Sequence, residues 1–412
     1  MPPEGDRLCP RCGQLIPAGQ TACPVCTRPK GFLWSLERET LVLVSIVLLA
    51  VFFVVVAFIT KRYHSEQRDL GRQWYKRGEV ALKANNPKKA VDDFHTALVY
   101  AKETAAFPVY QMSLAQALVE ADRLGEAQVQ LQALWDQEPG SGKVNLEMAR
   151  LFAKSHNIGE AIRYYHSAVF GAWESNPETH RRNVRIELCR FLLKENERNA
   201  AESELIALQA ELPPQADLHI KVGNMFMQVD DYRRALEEFQ QAVKLDPNSA
   251  GAWAGAGKAA YQLVDYAQAR RSLKKAVDLD PKDLEAARKL EISKLVLELD
   301  PFQRRLSQAE RNTRAVAAFN QAFSHFKQCA QSRGVNLMPQ PSTGPFAGPY
   351  SAAKKMQPKA NRQNLRRDPD LVNSLMDLVM QMEETAQQAC GTPPAPDQAL
   401  LMISQSRGAT ER

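Results

Sequence analysis

Cys9, Cys12, Cys23 and Cys26 form two C-x-x-C pairs separated by ten residues, in the stretch CPRCGQLIPAGQTACPVC. A C-x-x-C turn lets two thiolates face one ion while successive backbone amides point at the sulfurs. Two such turns brought together give the tetrahedral four-sulfur ligation that suits Zn(II). Four protein ligands leave no open coordination position, so the expected role of the metal is structural. Two local disulfides and an iron site are the alternatives that the same residues leave open. With 7 cysteines in 412 residues the chain is not a disulfide-stapled scaffold, and the first 26 residues hold four of them.

The elements around these thiols suit a small hairpin. Pro10 and Pro24 sit inside the knuckles, and Gly13, Pro17 and Gly19 are placed for turns. A segment of about thirty residues cannot fold on an apolar core alone, so metal binding would supply its folding energy. The segment resembles the short zinc ribbon found at the front of many bacterial proteins. That resemblance implies a ribbon over residues 1–30.

Next comes LVLVSIVLLAVFFVVVAFI, Leu41 to Ile59, without a charge. As a helix it would be roughly 28 Å long, enough to cross a hydrocarbon core. Trp34 and Tyr63 stand at interfacial positions, and Arg38, Lys61 and Arg62 bracket the ends. A cleavable signal peptide would begin earlier and be shorter, and it would discard the ribbon. Residues 41–60 are therefore expected to be a single transmembrane helix. Orientation by charge is nearly a tie, with Arg28, Lys30 and Arg38 before the span and Lys61, Arg62, Arg68 and Arg72 after it. Thiol chemistry leans one way, because four exposed cysteines stay reduced and metal-loaded most readily in the cytosol. The expectation is a cytosolic ribbon and an extracytoplasmic remainder, in a cell membrane.

Beyond the span the chain repeats itself. Ala90, Ala127, Ala161, Ala201, Ala235 and Ala269 are spaced 37, 34, 40, 34 and 34 residues apart. Twelve residues before each lies a small residue: Gly78, Ala115, Ala149, Cys189, Gly223 and Gly257. Four residues after comes a large apolar one, from Phe94 through Tyr165 to Phe239 and Leu273, and Pro139, Pro213, Pro247 and Pro281 follow twelve residues on. Such spacing describes two short helices in a hairpin. The small residue of the first helix and the alanine of the second permit close approach, the large residue fills the space between, and proline stops the second helix. One hairpin cannot bury both its faces, so the hairpins must stack into a solenoid.

These residues and this period resemble the tetratricopeptide repeat (TPR), most closely in GNMFMQVDDYRRALEEFQQAVKLDPNS and GAWAGAGKAAYQLVDYAQARRSLKKAVDLDPKD. The resemblance spans residues 71–283 as six repeats, and the extra residues around ESNPETHR are expected to loosen the stack between repeats three and four. It implies an all-α solenoid that binds a protein or peptide in its concave groove. Lys221 and Asn224 are the groove residues that could contact a peptide backbone or carboxylate. The spaced Lys/Asn set of carboxylate-clamp TPRs is not evident across adjacent repeats.

Other apparent motifs dissolve inside this frame. GAWAGAGKAA has a glycine spacing one residue too long for a phosphate loop, and Ala259 stands where Ser or Thr should bind magnesium. The 7 histidines show no ligand spacing, and no Ser/His/Asp or paired-carboxylate arrangement stands out. Cys189 takes a small-residue packing position, where a buried thiol behaves as a small hydrophobe. The formal charge of +6 over 412 residues, with both signs interleaved, does not argue for nucleic acid. No catalytic residues are assigned.

After the repeats, residues 284–335 read as a capping helix and a second helix carrying Val316, Phe319, Phe323, Phe326 and Ala330 on one face. Residues 336–367 hold five prolines, from Pro339 to Pro358, and six basic residues from Lys354 to Arg367, and read as a mobile linker. Its basic half suits a solvated linker, or contact with anionic lipid, envelope phosphate or nucleic acid. A helix resumes within 368–412, with Leu371, Leu375, Leu378 and Met382 at helical spacing, expected to pair with the helix before the linker. If the tail is exported, Cys329 and Cys390 are expected to form a disulfide. Two free thiols on helix faces are the alternative.

The sequence thus describes a non-catalytic, membrane-anchored scaffold that recruits partner proteins. Two other classes stay in view: a C-terminal helical unit acting as an enzyme or enzyme subunit to which the repeats present substrate, and a ribbon acting as a cytosolic sensor or nucleic-acid contact.

Overall fold

The computed structural model describes residues 5–27, 38–102, 104–337 and 343–410. Arg28, Lys30, Trp34, Pro339 and Pro341 lie outside them. The chain divides into two units, Met1–Gln137 and Glu138–Arg412.

The first unit opens with β1 (Arg7–Leu8) and β2 (Leu15–Ile16), paired antiparallel with Arg7 opposite Ile16. Cys9, Ile16 and Cys23 are the buried residues of this minute hairpin. Four helices follow: α1 (Arg38–Lys83), α2 (Pro87–Ala101), α3 (Phe107–Glu120) and α4 (Leu124–Gln137). Helix α1 runs unbroken for 46 residues, because no Gly-Pro punctuation separates the apolar stretch from the first repeat. The apolar stretch is uncovered, with Leu43, Phe52, Phe53 and Val54 all more than half exposed, while the other end of the same helix packs on α2.

The second unit continues with α5 (Gly142–Lys154), α6 (Ile158–Phe170), α7 (Pro177–Lys194), α8 (Arg198–Gln209), α9 (Ala216–Gln228), α10 (Tyr232–Leu245), α11 (Ala250–Gln262) and α12 (Tyr266–Leu279). Next come α13 (Leu284–Leu299), α14 (Gln308–Ser332), α15 (Ala347–Met356), α16 (Arg362–Arg367), α17 (Leu371–Cys390) and α18 (Ala395–Thr410). The fold is all-α, a TPR-like solenoid of helical hairpins preceded by the cysteine hairpin and followed by a helical tail. Each pair from α1/α2 to α11/α12 is one hairpin.

Packing follows the repeat pattern. All six repeat alanines are fully buried, and so are Leu131, Leu205 and Leu273 four residues beyond three of them. A β-carbon on Gly78 would come within 2.6 Å of the Phe94 ring, and one on Gly257 within 2.5 Å of Leu273. Gly255 and Gly257, the glycines of the apparent phosphate loop, are thus packing positions inside α11.

Each hairpin turns through one left-handed residue, five positions before its alanine: Asn85, Asp122, His156, Asn196, Asp230 and Val264. Asn and Asp tolerate that conformation, whereas a β-branched valine is strained there. The residue after it then caps the second helix in four hairpins, with Asn86, Asn157, Asp231 and Asp265 accepting a backbone N–H three residues on.

In the insertion between repeats three and four, Trp173 ties the chain to the helices on either side. Its Nε1 donates to the Ala168 carbonyl at 3.0 Å, its ring stacks on His180, and Ala172 and Gly142 share a backbone hydrogen bond of 2.8 Å. The segment 336–367 is not a loop throughout, since it contains α15 and α16. Phe346, Tyr350, Ala353 and Leu365 are buried in the tail core, where their burial offsets the loss of chain freedom. Pro349 falls in the first turn of α15, where a helix has no use for the missing N–H, and Pro358 follows its end.

The tail is built onto the sixth hairpin. Helix α13 packs on α12 and α18, α14 lies against α17, and one core runs from Leu273 through Phe319 and Phe326 to Leu375, Met382 and Ile403.

Candidate metal and partner-binding sites

The cysteine hairpin gathers its four sulfurs within 4.8 Å of one another, with Cys9 and Cys23 buried and Cys12 and Cys26 exposed. None of the four is in a disulfide. Two backbone bonds shape the first knuckle, Cys9 N–H donating to Gln14 O at 2.8 Å and Gly13 N–H to Cys9 O at 2.9 Å. Gly13 supplies the positive φ of 72° that this turn requires. The backbone amides of Arg11 and Cys12 pull the Cys9 thiol down to about 7, and those of Cys26 and Val25 lower that of Cys23. Shared hydrogens and burial among the crowded sulfurs, Cys12 foremost, push Cys26 up to about 12. Four thiolates this close repel one another without a cation between them, and the donor set and its closeness fit Zn(II).

Lys221 and Asn224 lie on the exposed face of α9 and line a cavity of about 570 Å³ between α7 and α9, the first helices of two successive hairpins. The opposite wall brings Arg190, Leu193 and Lys194 from α7, and Asp217 and Gln228 complete the polar rim. Ile220 and Met225 add apolar surface. Among the described residues Arg190, Lys194 and Lys221 have no ion-pair partner, so the cavity holds three unneutralised cations against one carboxylate. Sequence inspection missed Arg190 and Lys194 because they reach the site from a neighbouring hairpin, across a distance that the repeat spacing alone does not reveal.

Cys189 is fully buried in a core that includes Leu205 and Phe226, and burial pushes its thiol up to about 12. Cys329 on α14 and Cys390 at the end of α17 are brought together as a disulfide, with Cα atoms 6.0 Å apart.

One group escaped the sequence altogether. His325 of α14, Glu383 of α17 and Asp397 of α18 meet in the tail core. His325 Nδ1 lies 2.8 Å from Glu383 Oε2 and 3.8 Å from Asp397 Oδ2. Gln321, one turn before His325, donates from Nε2 to Asp397 Oδ1 at 2.9 Å. Burial raises the Glu383 carboxyl to about 7, against the lowering by its bond to His325. The three residues are 58 and 14 positions apart, so no local spacing could announce them.

Residues 223–283 match the tetratricopeptide repeat family model TPR_16. A search of curated proteins gave no match to the chain. Among solved structures the chain is similar to YrrB, described as a TPR protein with an unusual peptide-binding site, at 18% identity over 47% of this chain and 95% of that one, TM-score 0.36. It is also similar to the C-terminal part of a TPR repeat-containing protein from Cytophaga hutchinsonii, at 14% identity over 58% and 92% of the two chains, TM-score 0.41. A third is pilF of Pseudomonas aeruginosa, at 14% identity over 54% and 96%, TM-score 0.37.

Proposed function

We propose that the chain is a membrane-anchored, non-catalytic scaffold that holds a segment of a partner protein between its hairpins. One observation carries the proposal: α1 is a single helix whose uncovered apolar stretch continues without a joint into the first hairpin, where Gly78 meets Phe94. Eighteen uncovered apolar residues and one serine are untenable in water and well suited to lipid. From Thr60 to Gly78 the helix rises about 27 Å, so the first hairpin would be held at a fixed height above the bilayer. Lys61, Arg68, Arg72 and Lys102 line a cavity of about 950 Å³ beside the end of the apolar stretch, where anionic headgroups would lie.

The partner segment would sit in the cavity between α7 and α9. Its cations favour an acidic segment or a terminal carboxylate, and Asn224 and Gln228 offer amide donors and acceptors to its backbone. Zinc held by Cys9, Cys12, Cys23 and Cys26 would fold the ribbon, which the thiol argument puts in the cytosol with the hairpins outside. In that oxidising setting Cys329 and Cys390 would stay paired.

Anchoring and sidedness are tested together. The chain should resist alkaline carbonate extraction from membranes. A reporter active only outside the cytosol should work after Arg412 and fail before Met1. Extraction of the intact chain would refute the anchor, and reversed reporters would place the hairpins and their partner in the cytosol.

A further inference from the structure

We propose that His325, Glu383 and Asp397 form a divalent-cation site that ties α14, α17 and α18 together. Glu383 is fully buried and Asp397 is 2% exposed, while His325 retains a narrow exposed edge. Around these two carboxylates the structure offers one imidazole and the Gln321 amide. With both carboxylates ionised and an imidazolium between them the cluster keeps a net charge of −1 in an apolar core, and Glu383 Oε1 has no hydrogen-bond partner. A buried carboxylate oxygen without a partner is costly. A divalent ion bound by a neutral imidazole and two carboxylates brings the net charge to zero and sets a cation against the Glu383 carboxylate.

The geometry is close to what such an ion needs. The three donor atoms lie within 4.8 Å of one another, and a small shift would set each about 2.1 Å from a common centre. One nitrogen and two oxygens suit zinc or manganese, unlike the all-sulfur set of the ribbon. Gln321 supplies the outer hydrogen bond that fixes the Asp397 carboxylate, as partners of metal-ligating groups do. The Cys329–Cys390 link joins two of the same helices, one turn beyond His325 on α14 and two turns beyond Glu383 on α17. The exposed edge of His325 leaves room for water as a fourth ligand.

The test uses the full-length chain in detergent with Cys12→Ser and Cys26→Ser, which removes the ribbon as a competitor. After chelation and reloading with Zn²⁺ or Co²⁺, bound metal is counted by native mass spectrometry. The proposal predicts one ion per chain, and Co²⁺ absorption of nitrogen–oxygen type with no thiolate charge-transfer band. Adding His325→Gln should abolish the bound ion, and so should Asp397→Asn, which keeps the shape of the side chain. No ion in the doubly substituted chain, or an ion that survives both further substitutions, would overturn the proposal. The cobalt spectrum decides the ligand type even if a tail variant folds poorly.

Discussion

Phe239 lies with its ring against Gly223, so close that a β-carbon on the glycine would sit 3.0 Å away. The same ring atoms also face Gly255, from the first helix of the next hairpin, and a β-carbon there would overlap the ring. One phenylalanine thus closes its own hairpin and seals the joint to its neighbour, which is how a repeat that cannot fold alone becomes part of a stack.

Replacing Gly255 with Ala should therefore destabilise the second unit by about 1–3 kcal/mol, despite alanine's better helix propensity. Gly251, in the same helix, has open space around its α-carbon. Gly251→Ala should be neutral or stabilise by about 0.5 kcal/mol. Thermal or denaturant melting of the two variants side by side checks the contrast, and equal midpoints would contradict the packing account.

Val264 occupies the left-handed turn position at φ 64°, which five other hairpins fill with Asn, Asp or His. Its side chain is exposed, so little packing is lost on replacement. Val264→Asn should raise stability by about 1 kcal/mol through relief of backbone strain. A lower melting midpoint would mean that the valine makes a contact worth more than its strain.

For the ribbon, Cys12→Ser should remove the intense thiolate charge-transfer absorption of the cobalt-loaded chain while leaving far-ultraviolet ellipticity unchanged. The ribbon folds on its metal and the hairpins fold on their apolar core. Retention of the thiolate band would remove Cys12 from the ligand set.

The remaining cysteines separate by reactivity. At pH 8 a thiol pushed up to about 12 is almost entirely neutral, so Cys189 should resist alkylation until the chain unfolds. Cys329 and Cys390 should become labelled only after reduction. Because the two are 61 residues apart, losing the link should cost the tail about 4 kcal/mol in the chain-entropy model. Labelling of both without reductant in exported protein would show that they stay free.

Much of the architecture was legible in the sequence because it is local and periodic. The alanine ladder from Ala90 to Ala269 and its small and large companions state the hairpins outright, and the matched family segment at 223–283 contains the two clearest copies. Residues 336–367 misled because prolines and basic residues resemble a linker. Only the tertiary core reveals that Phe346, Tyr350 and Leu365 are anchors. The groove was half legible: Lys221 and Asn224 stand on one helix, whereas Arg190 and Lys194 join them across a hairpin boundary. The His325 cluster was invisible, since its members meet only when α14, α17 and α18 pack.

The central claim is that the cavity between α7 and α9 holds a partner segment at the membrane. A photocrosslinking amino acid at position 224, in the full-length chain in native membranes, tests it most directly, with the same group at Gln240 on the exposed face of α10 as control. The account predicts a discrete protein adduct from position 224 and none from 240. That adduct should disappear when Arg190→Glu and Lys221→Glu are added. No adduct at 224, or the same adducts from both positions regardless of charge reversal, would contradict it.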